Sequence, residues 1–420
     1  MIKNNSFLIN FFLSSSSKLF SSVGLITFNI IIIYFTNKEI LGTLTVALSL
    51  ISFLSIFCKF GLNHAALRLS SIFFEKKDIL KINQIILTAL ILSGLISIIV
   101  SVIIFNFEKE IASFFYKDKN IRGVLKIFAI ALPIFTFVQL QKSLIKSFKL
   151  PALANFSDIG SILFLCSAMV LFFEIIQFNL NVYRISLFFL FSCLLTFSFN
   201  NFILFYLVIS KLDLNQNNKE GSLLEFNNTF IKSLGDYFSI DFVNYIIVWG
   251  SIFICTFFYS ASTIASFSST YWLAYSLLFF PLVLNSIFAP GFAIDSHANK
   301  KEKLNINFYK NRNISLLITF PIFIILFIFS ENFLYYIFNI ENYQFTYVLR
   351  ILLFNSFLRI IFGPQVLFLN MTDRQNIVRK ITVFVSILQI ILILLSVIYF
   401  DLIVLSVIFL ITNFIKHIFL

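Results

Sequence analysis

KEILGTLTVALSLISFLSIFCKFGLNHAALRLSSIFFEKKD, Lys38 to Asp78, sets one apolar segment against one basic gap. From Leu41 to Cys58 no charged side chain occurs; Lys59, Arg68, Lys76 and Lys77 then follow in close order. About 20 apolar residues suffice for a helix to cross a hydrocarbon core. Loops retained on the cytoplasmic side keep their Lys and Arg. The stretch therefore reads as a membrane span followed by a cytoplasmic gap. Working outward, twelve segments meet the same length requirement: roughly 18–36, 41–59, 85–105, 122–142, 153–175, 186–209, 236–258, 264–290, 314–331, 346–369, 381–400 and 402–420. Of the 31 Lys and Arg, 22 fall before the first span, after an even-numbered span, or near the end of the chain. That alternation predicts a multi-pass protein with both termini in the cytoplasm. The gap between the third and fourth spans also carries bases, but Glu108, Glu110 and Asp118 accompany them.

Composition leads to the same class. With 59% hydrophobic and 12% charged residues and a mean hydropathy of +0.96, a soluble chain of 420 residues could not hide its apolar surface. The fold class is all-α, polytopic, with about twelve transmembrane helices in two six-helix bundles. The net charge of +12 is spread over separate loops, which fits topology and anionic head groups and excludes nucleic acid as a partner. Cys58, Cys166, Cys193 and Cys255 lie within spans and lack metal-site spacing. Met1 to Phe20 has no small-residue cleavage site after a short apolar core and reads as a retained segment.

The longest polar interruption, within 211–228, lies near the midpoint and divides the chain into an N-terminal bundle, 1–210, a cytoplasmic linker, and a C-terminal bundle, 229–420. Secondary transporters are often built from two such halves. Pro133, Pro281, Pro321 and Pro364 fall inside spans, where each removes a backbone donor. Gly363-Pro364 combines that loss with glycine's freedom and is the best hinge candidate.

No catalytic constellation is present. His64, His297 and His417 are far apart in sequence, and neither HExxH nor a P-loop occurs. An enzyme is not expected, and neither a cofactor nor a metal. The residue that the charge rule does not explain is Arg359, near the middle of the tenth span, where exposure to lipid costs roughly 2.5–3.5 kcal/mol on insertion scales. Helical spacing places Ser356, Arg359 and Gly363 on one strip, with Asn355 beside it. Arg359 has two readings: a pair with a buried acid such as Asp158 or Asp241, or a fork for a phosphate. Asp158, flanked by Asn155 and Ser161, and Asp241, flanked by Tyr237 and Asn244, form further polar strips and are the ion-coupling candidates; partnership with a neighbouring cation is the alternative. Lys59, Arg68 and Lys142 stand at cytoplasmic helix ends, where snorkelling accounts for them. A portal for an anionic lipid would use the same side chains.

The order of these features resembles the Wzx-type polysaccharide flippases of the multidrug/oligosaccharidyl-lipid/polysaccharide exporter superfamily. The resemblance rests on Lys38–Asp78, with its LG turn, FGL and following arginine, and on FSSTYWLAYSLLFFPLVLNSIFAPGFA, Phe267 to Ala293, similar to that family's eighth helix ending in proline. The chain departs from it in lacking a glycine at or near Thr45. The resemblance implies two six-helix bundles that move a polyprenyl-diphosphate-linked oligosaccharide across the bacterial inner membrane by alternating access, for O-antigen, lipopolysaccharide or capsule synthesis. It implies partnership with membrane lipids, a polysaccharide polymerase and glycosyltransferases. Arg359 and Asn355 would then meet the head group, with Arg68, Lys59 and Lys142 on the side where it enters. A multidrug or cation antiporter of the same superfamily is the alternative, left open by Asp158 and Asp241. A membrane oligosaccharide polymerase or ligase is a third reading, disfavoured by the small size of the external loop 106–122.

Overall fold

The computed structural model describes residues 2–75, 78–115, 121–211, 234–235, 237–298, 300–372, 374–399 and 401–420. Among these the regular structure is helical throughout. The helices are α1 (Ile2–Phe35), α2 (Lys38–Lys59), α3 (Leu62–Glu75), α4 (Ile79–Asn106), α5 (Glu108–Phe115), α6 (Ile121–Ser147), α7 (Pro151–Asn155), α8 (Ile159–Ile175) and α9 (Val182–Lys211). They continue with α10 (Tyr237–Cys255), α11 (Ala261–Tyr275), α12 (Phe279–His297), α13 (Lys301–Ile328), α14 (Ser330–Phe338), α15 (Tyr343–Phe362), α16 (Gln365–Met371), α17 (Gln375–Tyr399) and α18 (Leu402–Phe419). Among the described residues eleven segments are long and apolar enough to cross a membrane, and α8 is a shorter apolar helix. The protein is a multi-pass membrane protein.

Short polar side chains start these helices. Asn37, Asp78, Asn181, Ser260 and Asn342 each accept a backbone N–H from the first turn of α2, α4, α9, α11 and α15, satisfying donors that have no partner within the helix. Within the spans most Ser and Thr hydroxyls donate back to a carbonyl three or four residues earlier, as Ser49, Thr136, Ser167 and Thr319 do. Most hydroxyls in these spans therefore satisfy themselves, so polarity alone does not mark a binding surface.

Several boundaries differ from the sequence reading: α1 begins at Ile2 rather than near residue 18, and the starts of the fifth and ninth spans also move. The fifth span begins at Ile159, not near residue 153: α7 ends at Asn155, and Asp158 has an extended backbone ahead of α8. Asn155, Ser157 and Asp158 favour turns over helix interiors, which accounts for the break. The ninth span begins at Lys301. Lys301, Lys303, Lys310 and Arg312, read as gap residues, lie in α13 because no Pro or Gly falls between Lys301 and Ile314 and the bases keep largely to exposed positions.

The chain forms two compact units. The N-terminal unit comprises residues 1–36 and 43–245, the C-terminal unit 37–42 and 246–420. The boundary at Tyr245 and Ile246 falls inside α10, where the backbone takes a π-helical turn, Ile246–Gly250. Residues 212–228, which hold most of the sequence-based linker, lie outside the described residues.

In the N-terminal unit, Leu62, Ala65 and Ala66 of α3, Ile82 and Ile85 of α4, Leu140, Leu144 and Ile145 of α6, and Leu204 and Leu207 of α9 make one buried cluster. Beside it α1 crosses α8 at Gly24 and Gly160. A Cβ on Gly160 would stand 1.8 Å from the Ser21 carbonyl oxygen, so the backbones meet with no room for a side chain. Close approach through small residues is how helices associate where lipid supplies no hydrophobic drive. In the C-terminal unit, Leu277, Leu278 and Ile360 are buried against Leu316, Phe323 and Phe357, with the Phe323 and Phe357 rings stacked at 4.5 Å.

Candidate functional site

Two polar clusters stand out, one in each unit. In the C-terminal unit, the tenth span is broken after α15. Gly363 has φ +78° and ψ −168°, a conformation that side-chain-bearing residues rarely adopt, and Pro364 follows without a donor. The eighth span is interrupted by the 3₁₀ turn Ser276–Leu278 just before Pro281. Both interruptions line one cavity of about 120 Å³, together with Tyr275, Asn285, Asn311, Ser315, Arg359, Gln365 and His417. Irregular backbone at membrane depth is tolerated where it lines a cavity. Alanine at 363 is expected to lower stability by about 1–3 kcal/mol through its positive φ, read as a lowered thermal midpoint. The space itself is less restrictive, since the added Cβ would meet only the Phe308 and Arg312 side chains at 3.2 Å.

The cavity wall is ordered by its own hydrogen bonds. Asn311 Nδ2 donates to Asn285 Oδ1 at 3.2 Å, Ser315 Oγ to Asn311 Oδ1 at 3.4 Å, and His417 Nδ1 to Gln365 Oε1 at 2.8 Å. The His417 ring also stacks on Phe362. Arg359 lies in the last turn of α15, within electrostatic reach of Lys416 and His417 near the end of α18. Its place is therefore toward one end of the bundle. The helix break lengthens the tenth segment to Tyr343–Met371, which makes Arg359 central by residue count only. On its other side Arg359 lines a smaller pocket with Tyr271, Tyr275, Asn355, Ser356 and Asn413. Asn355 is 7% exposed, and its Oδ1 has no hydrogen-bond partner among the described residues. No described carboxylate lines either pocket or stands within ion-pair distance of Arg359. Among these residues the arginine has cations and neutral dipoles as neighbours and no counter-ion.

The N-terminal unit holds the other candidates. Asp158 is paired twice: Oδ2 with Lys18 Nζ at 2.6 Å, and Oδ1 with Lys142 Nζ. It thus ties α1 and α6 to the start of α8. Asn155 Nδ2 donates to the Ser14 carbonyl and to Ser17 Oγ, reinforcing the same junction. The strip expected from Asn155, Asp158 and Ser161 is not one helical face, since the break intervenes; Ser161 Oγ instead donates to the Asn155 carbonyl across it. Asp241 Oδ1 accepts from His64 Nε2 at 2.9 Å, and Tyr237 Oη accepts from Arg68 at 3.3 Å, so both residues of α10 face α3 while Asn244 is exposed. Lys59 is 8% exposed, which rules out snorkelling for it; burial places it within reach of both Asp241 and Lys142. Arg68 is exposed.

Lys18 and Lys146 had a reading only as topology markers, and Tyr275, Asn285, Asn311, Gln365 and His417 had none as a site. They reach one another across helices remote in sequence. The available signal was amides in otherwise apolar segments, which Asn285 and Gln365 carry.

The fold is shared with solved structures described as transporters of the MOP superfamily. The chain superposes on the inward-facing conformation of a multidrug resistance MATE family transporter with a TM-score of 0.72, over 96% of both chains at 13% identity. On the lipid II flippase MurJ in its inward closed conformation the TM-score is 0.74, over 97% of this chain and 86% of that one at 14% identity. A MOP superfamily transporter from Pyrococcus furiosus Vc1 (DSM3638), described as having a binding pocket of reverse polarity, gives 0.60 over 96% and 94% at 13% identity. Residues 14–150 match the MatE family model. No curated protein matches the sequence.

Proposed function

We propose that the protein is a flippase that moves a polyprenyl-diphosphate-linked oligosaccharide repeat unit across the bacterial inner membrane by alternating access, both termini cytoplasmic, in surface polysaccharide synthesis of the Wzx type. The observation that carries this reading is Arg359: a guanidinium without a counter-ion among the described residues, in a cavity where Asn285, Asn311, Gln365, Ser315, Tyr275 and His417 stand among apolar side chains. An arginine kept for structure would face a carboxylate, since burying an unpaired charge is costly. An arginine kept for a ligand faces a place where an anion arrives, and its fork suits phosphate or carboxylate oxygens. Amide side chains and a tyrosine around it suit sugar hydroxyls, which both donate and accept. The similarity in fold to a lipid II flippase supports a lipid-linked substrate.

A cation antiporter would place acids in its cavity. Among the described residues the two pockets at Arg359 have none, and in the other unit Asp158 is held by two lysines and Asp241 by His64. That favours the anionic substrate.

Deleting the gene is expected to remove surface polysaccharide and to accumulate the lipid-linked repeat unit on the inner leaflet, measured by mass spectrometry of extracted lipids. Normal polysaccharide without accumulation would overturn the reading.

A further inference from the structure

Three lysines in the N-terminal unit gather around one carboxylate, Asp158, and a fourth stands beside one of them. Lys18 comes from α1, Lys59 from the end of α2, and Lys142 and Lys146 from the last turns of α6. Lys18 and Lys142 pair with Asp158 directly, Lys146 lies within electrostatic reach of all three, and Lys59 lies within reach of Lys142. The next carboxylate, Asp241, is engaged by His64. Among the described residues the lysines of the cluster therefore outnumber its acids. Like charges this close repel strongly where water is scarce. Retention of lysines at cytoplasmic ends explains exposed bases, but not a lysine as deeply buried as Lys59.

The geometry at Asp158 is that of an anion gripped by two cations, one oxygen to each. Its side chain makes no capping hydrogen bond to the first turn of α8, and among the described residues its ion pairs are with Lys18 and Lys142. Side-chain exposure grades from 41% at Lys18 through 21% at Lys142 to 7% at Asp158. The cluster thus opens on the Lys18 side.

We propose that Asp158 is a resident counter-anion: it holds Lys18 and Lys142 in position while the site is empty, and an arriving diphosphate group takes the two lysines from it. This deepens the flippase reading and rests on it for the identity of the natural ligand. A diphosphate carries several oxygens and more than one negative charge, so it can engage Lys18, Lys142 and Lys146 together. A phosphodiester, with a single charge, leaves the surplus in place. Asp158 in turn limits affinity: its charge competes with the ligand, and its return to the lysines favours release. Loading and unloading then become an exchange of anions on fixed cations, with no step at which the lysines are left bare.

The test uses the full-length protein in neutral detergent, with the thermal midpoint followed against inorganic pyrophosphate. Asp158→Asn keeps the shape and removes the competing charge. It is expected to reach half-maximal stabilisation at about tenfold lower pyrophosphate than the unmodified protein. Lys18→Gln and Lys142→Gln are expected to weaken the response by a similar factor, whereas Lys81→Gln, which lies outside the cluster, leaves it unchanged. A short-chain prenyl diphosphate should reproduce the pyrophosphate response, and phosphatidylglycerol in mixed micelles should not. An Asp158→Asn response equal to or weaker than that of the unmodified protein overturns the proposal, as does an equal response to phosphatidylglycerol. Should Asp158→Asn fail to fold, the lysine variants decide: an undiminished pyrophosphate response in both overturns it. Pyrophosphate binding requires no glycan and no export, so failure here leaves the flippase reading standing, and failure of export leaves this site testable.

Discussion

Replacing Arg359 with alanine is expected to abolish export of the surface polysaccharide while the protein remains in the membrane at its normal level. The asymmetry follows from its surroundings. Arg359 has no carboxylate partner among the described residues, so its removal strands no buried acid. Truncating one member of a buried pair destabilises by several kcal/mol because the other is left behind; here the thermal midpoint should hold or rise. The loss falls on the ligand. A charge-assisted contact in a partly dry cavity is worth about 2–5 kcal/mol when one side is truncated, well over a tenfold loss in affinity. Arg359→Lys discriminates further: a point charge restores export if charge alone suffices, and fails if two parallel hydrogen bonds are required. Quantifying cell-surface polysaccharide beside immunoblots of the membrane fraction checks both variants. Full export by Arg359→Ala would remove the residue from the mechanism.

The second large effect belongs to the fold. Gly160→Val is expected to yield no folded protein, seen as loss of the monodisperse peak in size-exclusion chromatography. A Cβ at 160 would sit 1.8 Å from the Ser21 carbonyl oxygen and 2.9 Å from its hydroxyl, and Gly24 faces the same crossing with 2.0 Å to the Gly160 oxygen. The obstructing atoms are backbone, so no rotamer change makes room and α1 must move away from α8. Overpacking a core costs about 1–3 kcal/mol when side chains can shift; separating two helices along their crossing costs more. Total stability is only about 5–15 kcal/mol. The same displacement would pull Lys18 from Asp158, since that pair spans the same two helices. A well-folded Gly160→Val protein would show that the crossing is looser than described.

Much of this architecture was legible in the sequence because the membrane imposes a single length on every span. The segments expected at 41–59 and 402–420 agree with α2 and α18 within a few residues. What escaped was the irregular backbone. The fifth span is preceded by a turn, since Asn155, Ser157 and Asp158 bond locally in ways a hydropathy average does not register. Gly363-Pro364 was visible as a hinge candidate because it interrupts helix by two independent means, but its partnership with Pro281 and His417 around one cavity depends on tertiary packing. Arg359 was conspicuous as the base that charge bias leaves unexplained. Lys18 and Lys146 were hidden by that same bias, which accounts for any lysine near a cytoplasmic end and cannot tell a snorkelling side chain from one gripping a buried carboxylate.

The most direct test is reconstitution. Purified protein in liposomes carrying a fluorescent polyprenyl-diphosphate oligosaccharide, with a membrane-impermeant quencher added outside, reports movement of the head group between leaflets. The flippase account predicts that wild-type protein exposes the inner-leaflet pool to the quencher and that the Arg359→Ala protein leaves it protected. Liposomes with folded wild-type protein that stay as protected as protein-free ones, while the same preparation moves a cationic dye against an ion gradient, would contradict it.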